Sequence, residues 1–340
     1  MEHVTNPQPL ETTGEAPAFA LGIDTSSNKL DLALLSAAGK LRTKRISNDE
    51  TGFETLLSWL SRSAKDFHTV HVCLEASGGY EEAVALFLVE AGLRVSVVNP
   101  RQIKAYGEAQ LKRSKTDRSD AVLIARFCQR EQPLLWQVPA RELRQLRQMT
   151  RGLQALKQDR DRTRNRLDRM EQGPARKALE TVLATYEAQI EALEREIGAH
   201  LDEHAELSRQ RDLLVSIPGV GSLTAALVLA ELGDITRFES ARQAAAYAGL
   251  TPSHHESGTS VRRRSRLSKL GNSRLRHMLY FPAMSAMRHN EVVKRFAERL
   301  LGQGKKKMVV LGAAMRKLLH LCYGVLHSGR PFDASLHPTT

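Results

Sequence analysis

From Ala18 to Ile23 every residue is apolar or glycine, and Asp24 ends the run. An apolar stretch this short predicts a buried strand rather than a helix. Lys29–Ser36 (KLDLALLS) partly alternates, Ala38-Gly39-Lys40 makes a turn, and Leu41–Ile46 (LRTKRI) reads as a third strand. The three together predict an antiparallel meander. Between Gly52 and Ser63, residues Phe53, Leu56, Leu57 and Leu60 take helical spacing. Thr69–Leu74 is a fourth strand that delivers Glu75, Tyr80–Ala91 is an apolar-faced helix, and Leu93–Val98 is a fifth strand. A helical piece led by Pro100 and a helix opened by Asp117 complete the order β-β-β-α-β-α-β-α. That order predicts a mixed sheet with helices packed on it.

The pattern changes over residues 136–210. Leu146, Met149, Leu153, Leu156, Thr163, Leu167 and Met170 follow a 3-4 spacing, with Arg160 filling one seam position, and the spacing resumes after Gly173-Pro174 at Leu179, Leu183, Tyr186, Ile190, Leu193 and Ile197. Most residues between them are charged. This predicts two long helices in a hairpin with a coiled-coil seam, each arm of roughly 30 residues spanning about 45 Å. Residues 211–340 return to globular composition and read as mostly helical. Two helical pieces flank Ile217-Pro218-Gly219-Val220-Gly221. A small-residue helix covers Ala241–Ala248, a loop follows (GLTPSHHESGTS), and apolar helices lie near Leu279–Met287 and Val309–Val325. The fold class is therefore α/β plus α. The expected organisation is a disordered tail over 1–17, a sheet domain over 18–135, a helical hairpin over 136–210 and a helical domain over 211–340.

Composition adds a partner. The 340 residues carry 50 Lys and Arg against 38 Asp and Glu, a net charge of +12, which predicts binding to a polyanion. Aromatic residues are only 5%, which disfavours recognition carried by stacking on single-stranded bases. No run of about 18 uncharged apolar residues exists to span a membrane. The first residues carry Glu2, Glu11 and Glu15 and lack the form of a signal peptide. Cys73, Cys128 and Cys322 lie far apart in apolar segments and read as reduced core residues. A cytoplasmic location follows, where nucleic acid is the abundant polyanion. The charge is uneven. Residues 257–290 hold eight basic residues and no acidic one, and residues 101–130 hold eight basic against three acidic. Phosphate contact is expected at Lys112, Arg113, Lys115 and Arg118, and at Arg262, Arg263, Arg264, Arg266, Lys269 and Arg274.

Four acids stand out against this. Asp24 and Glu75 end strands, and Asp117 and Asp120 share one helix face. In a twisted mixed sheet such positions can converge, and four carboxylates suit Mg²⁺ or Mn²⁺. Two such ions serve phosphodiester chemistry. Each acid alone also reads as a turn or helix-cap residue. Asp31, on the second strand, is expected to face solvent. The turn at Gly219 and Gly221 resembles that of helix-hairpin-helix DNA binders, where backbone N–H groups hold a phosphate oxygen. It also reads as a plain connection between core helices. His254-His255 lacks ligand spacing and reads as loop, and Lys305-Lys306-Lys307 reads as a solvated loop within reach of a nucleic-acid backbone.

The segments GIDTSSNKLDLAL, CLEASGGYEE, VVNPRQIKAY and KTDRSDA resemble the RNase H/RuvC-like DEDD nuclease domain of the IS110 family of insertion-sequence transposases. SIPGVGSLTAALVLAELGD, FESARQAAAYAGLTP, ESGTSVRRRSRLSKLGN and LRHMLYFPAM resemble that family's C-terminal domain. The resemblance runs from about Ala18 to about Pro338. It implies a recombinase that cuts and rejoins duplex DNA, with Asp24, Glu75, Asp117 and Asp120 as metal ligands and Ser257 as nucleophile. It also implies a structured bridge RNA that pairs with donor and target DNA, self-association as a dimer or tetramer, and an active site shared between protomers. Two other readings of the residues stay open: a metal-dependent junction nuclease that only hydrolyses, and a non-catalytic nucleic-acid-binding architectural protein.

Overall fold

Five strands build the first part of the chain: β1 (Phe19–Thr25), β2 (Lys29–Ser36), β3 (Leu41–Ser47), β4 (Val70–Glu75) and β5 (Arg94–Val98). They form one sheet in the order β3-β2-β1-β4-β5. The first three pair antiparallel, as the meander predicts, while β4 runs parallel to β1 and to β5. The computed structural model describes residues 17–76, 78–110, 117–253, 256–257, 261–262 and 266–336. The tail expected over 1–17 therefore lies outside the described residues, save Pro17. The chain divides into two compact units, Met1–Val138 and Pro139–Thr340.

In the first unit the sheet is covered on both faces. Leu21, Ile23, Leu32, Val72 and Leu74 point one way, into a core closed by α1 (Glu50–Ser61) and α2 (Glu82–Glu90). The alternate residues, Ala20, Ala33, Leu35 and Cys73, meet α3 (Pro100–Ala109) and α4 (Asp117–Glu131). Helix starts are chemically marked. Asp49 caps α1 through the Gly52 amide, and Asn99 and Gln102 form a capping box around Pro100 on α3. Gly22 is needed where it stands. A Cβ there would lie 2.2 Å from the Ala121 carbonyl oxygen and 2.3 Å from the Ala125 nitrogen. Helix α4 thus rests on β1 at backbone distance.

Burial of β2 on both faces overturns one expectation. Asp31 does not face solvent. It is 5% exposed, and its Oδ1 accepts from Arg45 Nε at 2.9 Å. The sheet continues past it through β3, so the polar position is satisfied by a cross-strand partner instead of water.

The second unit is mostly helical. Helices α5 (Arg141–Leu167) and α6 (Pro174–Glu203) pack on each other antiparallel, joined along their length by Lys157–Glu194 at 2.6 Å and Arg164–Glu187 at 2.9 Å. There follow α7 (Ala205–Val215), α8 (Ser222–Leu232) and α9 (Ala241–Tyr247). Four two-residue strands come next: β6 (Pro252–Ser253), β7 (Glu256–Ser257), β8 (Val261–Arg262) and β9 (Arg266–Leu267). Helices α10 (Ser273–Met278), α11 (Tyr280–His289), α12 (Glu291–Gly302) and α13 (Lys307–Ser328) complete the unit. Leu146, Leu153, Ile190, Ile197 and Leu201 share one core with α8 and α13, so the long pair is rooted in the unit.

Helix α13 is long and apolar enough to cross a membrane by length and composition, and 61% of that window is buried inside the unit. Val310, Ala314, Leu318 and Cys322 have no exposed surface, which is the pattern of a central core helix. Cys73, Cys128 and Cys322 are free and buried.

Candidate active site

Register places the first two acids. Ile23 stands beside Leu74 on parallel strands, so the next residues, Asp24 and Glu75, are level. Both continue the face that carries Gly22 and Cys73. They sit at the C-terminal ends of their strands, half-buried, and each is engaged in an interaction. Asp24 also stands opposite Asp31 on β2. Asp31 is thus a fifth acid on this face, and Lys29 and Arg45 neutralise it.

The direction of α4 places the other two. At its C-terminal end, Gln129 donates to the Ser36 carbonyl at 3.2 Å, and Cys128 Sγ reaches the His71 carbonyl at 3.4 Å. Ser36 and His71 lie at the start of β1, opposite Phe19 and beside Ala20. Ala121 and Ala125 rest on Gly22 further along. The helix therefore runs against β1, and its first turn, bearing Asp117 and Asp120, lies toward the ends that carry Asp24 and Glu75. Asp120 is half-buried; of Asp117 only the backbone is described. Among the described residues these acids do not gather three carboxylates within 4.8 Å of one another.

Beneath the acids the same face is buried, with His71 and Ser96 both out of solvent. His71 Nε2 lies 2.8 Å from Ser96 Oγ, which donates onward to the Pro133 carbonyl. The hydroxyl has spent its proton, so the imidazole must supply the one between them. Burial, with Arg94 nearby, pushes His71 down to about 4.

Ser257 lies on β7, opposite Val261 of β8. Below it Pro252–Ser253 pairs with Arg266–Leu267. The segment expected as a loop is thus an antiparallel ribbon at those rungs, too short to leave an alternating pattern in the sequence. Only backbone is described for Ser257, Arg262 and Arg266. Lys112, Arg113, Lys115, Arg263, Arg264 and the His254-His255 pair lie outside the described residues, as does the side chain of Arg118. Lys269 and Arg274 are exposed. Arg276 is half-buried: its Nη1 donates to the Ala248 carbonyl at 3.0 Å, and burial lowers its pKa.

The root of the ribbon is held by a buried polar knot that sequence reasoning missed. Glu231, 4% exposed, accepts from Arg151 Nε at 3.2 Å and from Asn272 Nδ2 at 2.7 Å. The Asn272 amide donates to the Tyr247 carbonyl at 2.6 Å, and the Ser268 amide to Thr251 at 2.8 Å. One carboxylate thereby ties α5, α8 and the chain entering α10. Its only sequence signal is an acid inside the apolar run LTAALVLAEL.

The Gly219 turn has a structural reason. Its φ is +100°, and a Cβ would lie within 2.9 Å of Ala286 on α11. Gly221 differs: it opens α8, and a Cβ there would meet open space.

Comparison with known proteins agrees with this architecture. A transposase family profile of the DEDD type matches residues 21–170, and that of the transposase IS116/IS110/IS902 family matches residues 211–298. The chain is 32% identical over 327 residues to the pilin gene-inverting protein of Moraxella bovis, covering 93% of this chain and 98% of that one. It is 28% identical over 246 residues to the transposase for insertion sequence element IS1111A of Coxiella burnetii, covering 64% and 66%. Fold, sequence matches and acid-bearing sheet together define a DNA transposase or recombinase, an enzyme acting on DNA strands. More narrowly, the chain belongs to the IS110 family of insertion-sequence transposases.

Proposed function

We propose that this transposase holds a divalent cation, Mg²⁺ or Mn²⁺, on Asp24, Glu75, Asp117 and Asp120, and cuts and rejoins DNA with Ser257. The observation that carries the reading is the reversed run of α4 over β1, which turns Asp117 and Asp120 toward the strand ends of Asp24 and Glu75. An all-carboxylate donor set fits a hard cation, and a bound ion supplies charge stabilisation to phosphate oxygens. The sheet is the RuvC-like domain of the enzyme, spanning 18–135.

The remaining chemistry belongs to the chain. Ser257 Oγ loses its proton and attacks the scissile phosphorus. The bond from phosphorus to a deoxyribose oxygen breaks, and that oxygen takes up a proton. The phosphoserine ester conserves the bond energy, so a deoxyribose hydroxyl can displace Ser257 and rejoin the strands without ATP. Arg262, Arg263, Arg264, Arg266, Lys269 and Arg274 hold phosphates beside the serine, while Lys112, Arg113, Lys115 and Arg118 do so beside the acids. Gly221 offers the start of α8 to a phosphate as in a helix-hairpin-helix, with Gly219 shaping the turn. Base pairing with a structured bridge RNA selects the DNA, and the protein grips both by their backbones. Residues 136–210 form a coiled-coil arm through which protomers associate, so acids and serine of one site come from different chains. The helical domain over 211–340 carries the serine.

A denaturing gel of a labelled donor DNA tests the nucleophile. The wild-type enzyme forms a protein–DNA adduct, and Ser257→Ala forms none while still binding DNA; an adduct in Ser257→Ala defeats the assignment. Asp120→Ala stops cleavage, and continued cleavage means the acids are structural. A mixture of Asp24→Ala and Ser257→Ala proteins regains activity if the site is shared, and a mixture that stays inactive excludes sharing.

A further inference from the structure

At the end of α6 the sequence reads His200-Leu201-Asp202-Glu203-His204, two imidazoles and a carboxylate at positions i, i+3 and i+4. His204 leaves the helix, with φ −110° and ψ 104°, and its ring turns back over the last turn of α6. The two rings lie 4.4 Å apart between centroids. One nitrogen from each and one oxygen of Glu203 all lie within 4.8 Å of one another, and among the described residues no other group of this kind occurs. The three line a cavity of about 590 Å³ together with Arg141, Glu142 and Glu196.

Hydrogen bonding settles which nitrogens are free. His200 Nε2 lies 2.8 Å from the Glu142 carbonyl on α5, and His204 Nδ1 lies 2.8 Å from the His200 carbonyl. A carbonyl only accepts, so Nε2 of His200 and Nδ1 of His204 carry the hydrogens. In the neutral rings the lone pairs are then on Nδ1 of His200 and Nε2 of His204. Metal-binding histidines are oriented in just this way, with the second nitrogen donating to a carbonyl.

We propose that His200, Glu203 and His204 bind a divalent transition-metal ion at the root of the α5–α6 pair, Zn²⁺ in the first place. Two imidazoles and one carboxylate select borderline metals such as Zn²⁺ and Co²⁺ over Mg²⁺. Water fills the remaining position from the open cavity. The ion is a clasp: it fixes the corner between α6 and α7, while the His200 bond to Glu142 links that corner to α5. None of its ligands is among the four acids proposed above to hold Mg²⁺ or Mn²⁺.

The test uses the full chain stripped of metal by a chelator and titrated with CoCl₂. Wild-type protein develops visible d–d absorption of nitrogen-ligated Co²⁺ at one ion per chain, and added ZnCl₂ abolishes it. His200→Ala and His204→Ala each weaken binding by more than about tenfold. Asp24→Ala leaves the band intact. Zn²⁺ raises the melting temperature of wild-type protein and not that of His204→Ala, whose far-ultraviolet circular dichroism confirms the fold. No band in wild-type protein, a band that survives in the His200→Ala/His204→Ala double variant, or one lost in Asp24→Ala would each overturn the proposal.

Discussion

The acids and the serine are held by opposite kinds of structure. Asp24 and Glu75 stand on strands paired on both sides, and α4 is docked on that sheet without room for a methyl group. Ser257 stands on a two-rung ladder, above another two-rung ladder, anchored below by the buried Glu231. Of the residues proposed to carry the chemistry, the acids are positioned by packing and the serine by a few hydrogen bonds at a distance.

Four measurements press on this contrast. Both tryptophans, Trp59 and Trp136, belong to the first unit, so their fluorescence reports on the sheet, while circular dichroism reports chiefly on the helical unit. The largest effect is expected from Gly22→Val. Its side chain meets backbone atoms of α4, so chemical denaturation followed by tryptophan fluorescence should show a loss of more than about 3 kcal/mol. A smaller loss would mean that α4 can shift. Next comes Glu231→Ala, which strands Arg151 and Asn272. Unfolding followed by circular dichroism should show a loss of about 3 kcal/mol, with DNA affinity reduced and the tryptophan transition unmoved. A mobile tryptophan transition would erase the distinction between the units.

Acid should act on both halves, and the probes separate them. His71 folds with a pKa near 4 against an ordinary 6.5, by burial and the nearby charge of Arg94. His320 is also near 4, by burial and by Arg316, Lys317 and Arg242. In each case the unfolded chain binds a proton that the folded one refuses. The stability is therefore complete above pH 6.5 and is lost as pH falls through 4, by about 1–3 kcal/mol per group. His71→Gln should flatten the fluorescence-detected part alone. The smallest effect is expected from Arg164→Ala, which breaks an exposed pair with Glu187 on the helical arm. It should cost less than about 1 kcal/mol in a thermal melt.

Legibility in the sequence followed the same contrast. The strands and helices of the sheet unit appear as apolar runs and 3.6-residue periods, because burial writes them. Asp31 reads as solvent-facing only because β2, buried on both faces, gives no alternation that says which side a polar residue takes. The order of the four acids was readable, but their approach depends on the direction of α4, which only tertiary contacts reveal. The ribbon carries no period at two residues per strand. Helix α12 leaves an equally weak signal. It buries Val292, Val293 and Ala297 between charged residues, a narrow stripe beside two far more apolar helices. The Glu231 knot joins residues 80 and 41 positions apart, a separation at which no local pattern exists.

The contact between Gly22, Ala121 and Ala125 bears on how this enzyme can vary. None of the three carries a functional group, yet together they set the spacing between strand-borne and helix-borne acids. In a library of single substitutions scored by transposition, they should tolerate as little change as the carboxylates. Compensation could come only in pairs, with a larger residue on one element matched by a retreat of the other. If the proposed acid site cuts DNA, selection on cutting thus reaches a glycine and two alanines that carry no functional group.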